Sequence, residues 1–388
     1  VLPLVFLSVV VGVTSIGDPS RLGVVGGTTL VYYFGTMIVA VVLGAVLVTV
    51  IAPGEGLSAD AVASLQSQGA AEYQENTGLR GAMDTASDKG LSGAWMNILE
   101  QVIPTNFFAE LANGRTLGVI VFALLLGLAL AAIGDAGVPA VTTLKSLFAG
   151  TMKLVMWILW LTPIGVFLLV TGTVAKIGIG SLYGPLGAYM ITVLIGLSIH
   201  AFVTLPTVLA VFGRVNPYRF MLKMRKALLT AFGTDSSSAT LPVTIETAID
   251  QGGCSKRSAN FVLPLGATVN MDGTALYEAV AVVFMFQLWG IALGLGELVI
   301  VVVTATLAAV GAAGIPSAGL VTMVIVVAAV NTSLAGRGIE PLPLEAIGVI
   351  IGVDRILDMC RTTVNVWGDA VGARLITRLA PDDDTATT

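Results

Sequence analysis

Eight long apolar runs, separated by polar loops, limit what this chain can fold into. Because a helix needs about 20 mostly apolar residues to cross the hydrocarbon core of a bilayer, the runs predict membrane spans. Charged residues make up only 11% of the 388 residues, whereas a soluble chain carries about 25%. We therefore expect an all-α polytopic membrane protein, and we exclude a soluble enzyme, a disordered chain and a nucleic-acid-binding protein. The runs cover residues 1–16, 28–51, 117–133, 147–174, 186–212, 261–293, 298–330 and 347–379.

Basic residues predict which loops face the cytoplasm. Residues 214–226 carry five basic residues and no acid, so the positive-inside rule places this loop in the cytoplasm. Residues 53–90 carry six acids and two basic residues, which indicates an external loop.

Two apolar segments are broken where a simple span would be continuous. Residues 227–253 lie between two basic groups that both face the cytoplasm, and their centre reads GTDSSSATLP. The segment must enter the membrane and return, and irregular backbone at membrane depth is tolerated only where protein buries it. Residues 310–319 read VGAAGIPSAG, which also unwinds a helix. Two such breaks predict re-entrant hairpins at a transport site near the midplane; the alternatives are an interfacial loop and two kinked spans.

Two further segments place charged and polar side chains at membrane depth. One reads NMDGT from Asn270 and continues to Glu278, and the other runs from Asp354 to Asp369. Each charge at the bilayer centre costs about 2.5–3.5 kcal/mol, so these groups indicate a shared polar interior. In the second segment the polar residues recur every three or four positions, which puts them on one helix face. A structural ladder of ion pairs is the alternative to a binding site.

The polar face of the last segment matches the chemistry of an acidic amino acid. Arg361 offers a planar fork for a carboxylate. Asp358, one turn earlier, suits an ammonium group, and Asn365, one turn later, can donate to a second carboxylate.

Hard oxygen donors beside this face suit an alkali cation. Asp272 and Asp369 carry carboxylates, which favour Na⁺ over a soft metal. The single histidine, His200, excludes a multi-histidine metal site, and the two cysteines are too far apart in sequence to indicate a disulfide framework. We therefore expect bound Na⁺ and interpret His200 as a structural residue within a span.

Four motifs in this order resemble the glutamate transporter family, the dicarboxylate/amino acid:cation symporters that include the excitatory amino acid transporters. They are SSSATLPVT from Ser236, NMDGTALYEA from Asn270, GAAGIPSAGLVTM from Gly311 and RTTVNVWGD from Arg361. The resemblance covers the family's second to eighth spans, leaves the first span outside this chain, and favours a prokaryotic-type member. It implies a fold of eight spans with two oppositely oriented re-entrant hairpins, assembled as a homotrimer in the cell membrane.

The resemblance also implies a static scaffold and a transport domain that moves by an elevator mechanism. The scaffold would comprise residues 1–26, the second span, and residues 53–180, the fourth and fifth spans with the external loop. The transport domain would comprise the third span at 27–52 and residues 181–380. Within residues 181–380 the resemblance places the sixth span, hairpin one at 217–252, the seventh span at 257–293, hairpin two at 296–333 and the eighth span at 345–380. Residues 381–388 would form a cytoplasmic tail.

Substrate contacts follow from the matching motifs. Arg361 resembles the residue that holds the side-chain carboxylate, and Asp358 resembles the residue at the amino group. Asn365 and Ser237 resemble the contacts of the α-carboxylate. The other implied contacts are Ser236, Thr274, Gly319 and Thr362.

Three sodium sites are implied in the same way. The first comprises Gly266, Asn270, Asn365 and Asp369. The second comprises backbone around Thr268, Ala309, Val310 and Ala312. The third comprises Tyr33, Thr36, Asn270 and Asp272. Met37 stands beside the third site where the family has a small hydroxyl residue, and a thioether is a poor Na⁺ ligand.

Glu278 indicates further coupling ions. Family members that take up protons and countertransport K⁺ have glutamate here, whereas sodium-only archaeal members have glutamine. We therefore expect Glu278 to carry a proton, because burial disfavours a charged carboxylate; a glutamate bonded to backbone is the alternative. Extra cations also make uptake of an anionic substrate favourable, since each charge moved across 100 mV is worth about 2.3 kcal/mol.

Hairpin one departs from the family pattern at one position. Asp235 stands where archaeal members have arginine and animal members have serine. A bare carboxylate there would repel an anionic substrate. We therefore expect Arg355, on the eighth span, to pair with Asp235 and tune gating.

These expectations together predict a secondary active symporter rather than an enzyme. It would move L-glutamate or L-aspartate into the cell, driven by Na⁺, with H⁺ co-transport and K⁺ countertransport. A hydrolase that uses the serine run of hairpin one lacks an evident partner base. A C4-dicarboxylate carrier, a neutral amino acid carrier of the same fold and an anion channel stay open as alternatives.

Overall fold

Helices dominate the computed structural model, which describes residues 2–16, 19–84, 106–112, 116–161, 164–165, 167–168, 171, 186–310, 312, 314 and 316–382. Within these ranges the chain forms helices, turns and bends and no β-strand. Four described helical stretches are long and apolar enough to cross a membrane: Gly23–Ile51, Leu186–Gly213, Lys256–Leu288 and Ala318–Ala335. The expected all-α membrane fold is confirmed. The later part of the 147–174 run, Gly311 and the tail beyond residue 382 lie outside the described residues.

The first part of the chain, as far as residue 159, forms six described α-helices. The helices are α1 (Leu2–Ile16), α2 (Pro19–Ile51), α3 (Ala59–Glu75), α4 (Phe107–Ala112), α5 (Thr116–Ala132) and α6 (Val138–Leu159). α2 begins well before the apolar run at 28–51, because a proline fits the first turn of a helix. The expected domain boundary at 26/27 therefore falls inside one continuous helix. α1 packs against α5 and α6 on one side and against the later part of the chain on the other.

The acidic loop that follows α2 is more regular than its composition suggests. Ser58 begins α3 by accepting a hydrogen bond from the Ala61 backbone N–H at 3.3 Å, which satisfies one of the free donors of the first turn. Gly69 of α3 lies against Gly348, and a Cβ at either position would meet the other segment's neighbouring atoms. The loop therefore lies across the start of the last helix.

The next helix, α7 (Leu186–Gly213), is interrupted by two π-helical turns. They cover His200–Thr204 and Leu209–Gly213. A π turn inserts an extra residue and rotates the side chains that follow, and such turns occur often at functional sites. In α7 the first of them begins at the single histidine, His200.

Hairpin one is built from α8 (Pro217–Lys223), α9 (Arg225–Thr234) and α10 (Ser237–Asp250). α9 ends at Asp235, whose φ of 52° is left-handed, a conformation that aspartate tolerates better than most residues. Ser236 then caps α10 by accepting from the Ala239 N–H at 3.1 Å. The TDSS sequence therefore reverses the chain with a capping hydrogen bond at the start of the second helix.

The seventh span is a broken helix. α11 (Lys256–Val269) and α12 (Asp272–Leu288) are separated by Asn270 and Met271, which both have non-helical backbone angles. Pro264 lacks a backbone N–H and so leaves the Asn260 carbonyl without its helical partner. Ser8 Oγ on α1 donates to that carbonyl at 3.2 Å, so the break in hydrogen bonding is repaired across the two parts of the fold.

Hairpin two and the last helix complete the fold. Hairpin two is α13 (Leu295–Val310) and α14 (Ala318–Ala335), and the last helix is α15 (Gly348–Ile376). α12 is buried along its whole length and packs against α2, α7, α13, α14 and α15. Because α15 also contacts α9, α10 and α11, the polar stripe of the last span faces the meeting point of both hairpins and the broken helix.

Candidate functional site

One small enclosed pocket lies between the tips of the two hairpins, α12 and α15. Its volume is about 10 Å³, close to that needed for a single water. The structure brings all the residues implied as substrate contacts to the wall of this pocket. They are Ser236, Ser237, Thr274, Gly319, Asp358, Arg361, Thr362 and Asn365.

Hydrogen bonds hold the two hairpin tips together over the pocket. The Ser236 hydroxyl donates to the Gly314 carbonyl at 2.6 Å, and the Ser238 N–H reaches the same carbonyl at 3.2 Å. The Ser317 N–H of hairpin two donates to Asp358 Oδ2 at 2.6 Å. Hairpin two is thus bonded to both hairpin one and α15, and moving either hairpin away from the other requires the bonds to the Gly314 carbonyl to break.

The Arg361 guanidinium is buried and held by two carboxylates and an aromatic ring. Its Nε donates to Asp358 Oδ1 at 2.6 Å, and its Nη1 donates to Asp354 Oδ1 at 3.1 Å. The guanidinium carbon lies 4.3 Å from the centre of the Tyr277 ring, and the Tyr277 hydroxyl donates to Asp354 at 2.8 Å. Because a buried charge is tolerated only when it is paired and hydrogen-bonded, these partners fix the orientation of the fork.

Asp354 and Tyr277 are residues that sequence reasoning did not assign to the site. Asp354 stood on the predicted polar stripe, two turns before Arg361, and this spacing was the available signal. Tyr277 precedes Glu278 in a buried apolar helix, and nothing in the local sequence indicates that its ring lies under a guanidinium on another helix.

Two glycines allow the backbone to approach Arg361 closely. A Cβ at Gly319 would lie 3.1 Å from Arg361 Nη1, and a Cβ at Gly273 would lie 2.5 Å from the Arg361 carbonyl oxygen. Hairpin two and α12 therefore rest directly on this residue, with no side chain between.

Asn365 joins the broken helix to α15. Its Oδ1 accepts from the Gly273 N–H at 2.7 Å, and its Nδ2 donates to Thr274 Oγ1 at 3.1 Å. Nδ2 also lies 3.3 Å from Met271 Sδ. The interruption of the seventh span is thus stabilised by a side chain of the neighbouring helix.

Oxygen atoms cluster behind the pocket, at the break between α11 and α12. Asn270 Nδ2 donates to Asp369 Oδ1 at 3.0 Å, while Asn270 Oδ1 is buried with no hydrogen-bond partner among the described residues. A Cβ at Gly266 would collide with Asp369 and with the Tyr33 hydroxyl. Hard oxygen donors without a thiolate suit an alkali cation. Among the described residues, no three or more His, Cys, Asp or Glu side chains are placed together in the way that binding of a transition metal would need.

Asp272 lies in the same cluster and contacts two other helices. Thr36 Oγ1 of α2 donates to its Oδ1 at 3.1 Å. His200 Nε2 of α7 lies 3.0 Å from its Oδ2, and both side chains are fully buried. Met37 is also fully buried. The residues implied for the third sodium site are therefore adjacent, with His200 as an additional neighbour.

The contact to Asp272 changes the interpretation of His200. We expected a structural residue within a span, but its Nε2 faces a candidate cation ligand and its Nδ1 has no hydrogen-bond partner among the described residues. The polar residue in an apolar run was a signal for function. The partner could not be inferred, because α7 and α12 are distant in sequence.

Backbone groups of hairpin two lie against the end of α11. A Cβ at Gly314 would meet the Ala267 carbonyl oxygen. The Ala312 N–H donates to the Ala309 carbonyl at 3.1 Å, and Thr268 Oγ1 donates to the Leu265 carbonyl at 3.1 Å. The two segments implied for the second sodium site, around Thr268 and around Val310, therefore meet at the hairpin tip.

Glu278 is fully buried on α12 and touches hairpin two. Thr322 Oγ1 lies 2.5 Å from Glu278 Oε1, and Oε2 has no hydrogen-bond partner among the described residues. A hydroxyl can both donate and accept, so the threonine can bond this carboxyl whether or not it is protonated.

Asp235 and Arg355 are adjacent, as the sequence predicted. Arg355 Nη1 lies 3.0 Å from Asp235 Oδ2, with side-chain exposures of 26% and 0%. Thr362 Oγ1 donates to Asp235 Oδ1 at 3.3 Å. Asp235 also lines the pocket, so the pair connects hairpin one to α15 at the pocket wall. Its role in gating stays a prediction.

Comparison with known proteins gives one consistent result. The model of the sodium:dicarboxylate symporter family matches residues 1–379. The chain is 38% identical over 416 residues to excitatory amino acid transporter 3 of Homo sapiens, covering 98% of this chain and 76% of that protein. It is 37% identical over 407 residues to an excitatory amino acid transporter of Caenorhabditis elegans, with 97% and 78% covered. It is also 35% identical over 403 residues to the neutral amino acid transporter B(0) of Bos taurus, with 97% and 70% covered.

Proposed function

The chain belongs to the sodium:dicarboxylate symporter family, and we propose that it is a Na⁺-coupled symporter that takes up L-glutamate or L-aspartate. One observation carries the choice of substrate. The buried Arg361 guanidinium lies at the wall of the pocket between the two hairpin tips, with Asp358 one turn before it and Asn365 one turn after it on the same helix face.

The charges around the pocket favour an acidic amino acid over the alternatives. Asp354 and Asp358 accept from two of the five N–H groups of the Arg361 fork. A substrate carboxylate could accept from the remaining N–H groups, whereas a neutral side chain offers them no charged acceptor. A C4-dicarboxylate has no ammonium group for Asp358. The relatives include carriers named for excitatory and for neutral amino acids, so the fold alone does not decide between them.

We propose that Na⁺ binds at the oxygen cluster beside the broken helix. Asn270 and Asp369 would contribute to one site, and Asp272 with Thr36 would contribute to another. The unpartnered Asn270 Oδ1 supports this assignment, because buried carbonyl oxygens normally have a hydrogen-bond or cation partner.

Protonation of Glu278 would add a second coupling ion. Its contact with Thr322 connects the seventh span to hairpin two. Proton binding would therefore act on the same hairpin that closes over the substrate. Countertransport of K⁺ would follow once the proton and substrate have left.

The proposed movement is an elevator within a homotrimer. α1, α5 and α6 would belong to the scaffold, and α2 with α7 to α15 would form the transport domain. The contact between the two parts includes Ser8 and Gly12, and a Cβ at Gly12 would lie 2.9 Å from the Asn260 carbonyl.

Uptake into proteoliposomes under imposed Na⁺, H⁺ and K⁺ gradients tests the substrate assignment. Arg361→Cys should abolish uptake of glutamate and aspartate, because the fork that binds the side-chain carboxylate is lost. Arg374→Cys is the matched control, since Arg374 lies on the same helix and donates instead to the Gly253 carbonyl. Acidic uptake that survived Arg361→Cys would contradict the proposal. Uptake that ran only down the substrate gradient would favour a channel.

The same assay tests the proton role. Glu278→Gln keeps the shape of the side chain, but the amide of glutamine does not gain or lose a proton over the pH range of the assay. We expect Na⁺-driven uptake that no longer responds to pH or to K⁺ inside the vesicle. Persistence of both responses in Glu278→Gln would rule out this residue as the proton carrier while leaving the substrate assignment intact.

A further inference from the structure

A second cavity, separate from the pocket between the hairpins, lies on the outer side of the transport helices. It is an apolar groove of about 640 Å³ between α2, α7 and α15. Its walls are mostly aliphatic and aromatic side chains, including Val31, Val39, Val208, Phe212, Leu375 and Leu379. Several of these side chains are largely exposed, among them Val31 at 75% and Phe212 at 66%.

The length of the groove matches one leaflet of a bilayer. Along α2 the lining residues run from Thr28 to Val39, which at 1.5 Å per residue is about 16 Å. The hydrocarbon core of a bilayer is about 30 Å thick. The groove therefore extends from one membrane interface to about the midplane.

An arginine at one end of the groove indicates that the groove lies in the cytoplasmic leaflet. Arg378 lies at this end and is exposed. Its Nη1 donates to the carbonyl of Phe212 at 2.7 Å, next to the point where α7 ends and the basic loop at 214–226 begins. A guanidinium has five N–H donors, so one backbone contact leaves capacity for an anion at the mouth of the groove.

We propose that this groove binds one anionic phospholipid of the cytoplasmic leaflet. An acyl chain would lie along α2 in the apolar channel, and the headgroup phosphate would contact Arg378. Both the acyl chain and the headgroup follow from the lining of the groove. Basic pockets between spans on the cytoplasmic side recognise anionic headgroups, and the apolar walls need a hydrocarbon chain to fill them. The groove is a separate cavity from the pocket between the hairpin tips.

Two residues on the inner wall of the groove also form hydrogen bonds in or beside the oxygen cluster at the broken helix. Tyr32 and Thr36 line it. The Tyr32 hydroxyl donates to the Gly368 carbonyl at 2.8 Å, and Thr36 Oγ1 donates to Asp272 at 3.1 Å. An acyl chain in the groove would therefore support α2 directly behind these bonds.

Filling the groove tests the acyl-chain part. Gly35 lines the groove, and a Cβ placed there meets no atom within 4 Å. Gly35→Leu should therefore occupy the channel without straining the helix. Gly27→Leu is the matched control, because Gly27 lies on the same helix, also has open space around its Cβ and does not line the groove. Native mass spectrometry of the purified protein titrated with palmitoyl-oleoyl phosphatidylglycerol counts the retained lipids.

We expect one fewer retained lipid per chain for Gly35→Leu than for the wild type or Gly27→Leu. Equal retention in all three proteins would overturn the proposal.

The headgroup part is tested with the same method. Phosphatidylglycerol and phosphatidylcholine with identical acyl chains are compared, with glycerol 3-phosphate as the soluble probe. The wild type should prefer phosphatidylglycerol by about fivefold, the effect expected of one basic residue near the headgroup. Arg378→Gln should lose this preference, and Arg374→Gln should keep it.

A wild type without any preference between the two lipids would reject the anionic headgroup. If glycerol 3-phosphate alone released the bound lipid, the site would be a plain phosphate site, and the proposed lipid site would be rejected.

Discussion

The ion pair between hairpin one and α15 gives the sharpest quantitative prediction. Asp235 is fully buried at the pocket wall, whereas the Arg355 side chain is 26% exposed. Their charged atoms lie 3.0 Å apart, so the gross attraction at an effective dielectric constant of 20 is about 5.5 kcal/mol. Desolvation and side-chain ordering offset most of this value, and measured coupling between contacting charged residues is about 0.5–3 kcal/mol. We expect about 1.5 kcal/mol, which is roughly tenfold in substrate affinity.

The unequal burial of the two partners predicts unequal effects of removing them. Arg355→Gln leaves an unpaired carboxylate facing an anionic substrate, and Na⁺-dependent substrate affinity should fall by roughly tenfold. Asp235→Asn leaves an arginine that can turn towards solvent, and affinity should change by about twofold or less. In the double variant, removal of the carboxylate should restore most of the affinity lost in Arg355→Gln.

Isothermal titration of substrate into the detergent-solubilised protein, at saturating Na⁺, measures all four corners of this cycle. Non-additivity is the signature of the pair, since independent charges would each shift affinity by the same amount in either background. Effects of Asp235→Asn and Arg355→Gln that add within about 0.5 kcal/mol would refute the coupling.

Three further predictions concern the cation cluster and the pocket. Gly266→Ala should weaken Na⁺ binding by at least tenfold, because its Cβ would collide with Asp369; the Na⁺ dependence of substrate binding measures this. His200→Phe should weaken Na⁺ binding by about tenfold, since it removes the imidazole that contacts the carboxylate at the start of α12, and His200→Gln, which keeps a donor, should lose less. Gly319→Ala should weaken substrate binding several-fold with Na⁺ affinity measured without substrate unchanged, because its Cβ would lie 3.1 Å from Arg361 Nη1.

The chemistry of the site was visible in the sequence because lipid tolerates so few polar groups. Arg361, Asp358 and Asn365 could be placed on one helix face by spacing alone, since the period of a helix is regular. The two hairpin tips were visible as glycine, proline and serine in otherwise apolar segments. The spacing of polar residues along the sequence therefore predicted which of them face a polar interior.

Contacts between helices distant in sequence could not be predicted in the same way. The stacking of Arg361 on Tyr277 and the contact between His200 and Asp272 depend on how α7, α12 and α15 pack against one another.

The start of α2 at Pro19 shows the same limit within one element. An apolar run marks where a helix meets lipid, while the helix itself continues through residues that hydropathy does not detect.

The sequence by itself determined that this chain crosses a membrane, where its two hairpins turn and which charged side chains avoid lipid, because each of these follows from the free energy of placing single groups in hydrocarbon. Only the tertiary structure decided which of those side chains meet. The direction of each side chain is set by close packing of whole helices, and that packing depends on every neighbour at once.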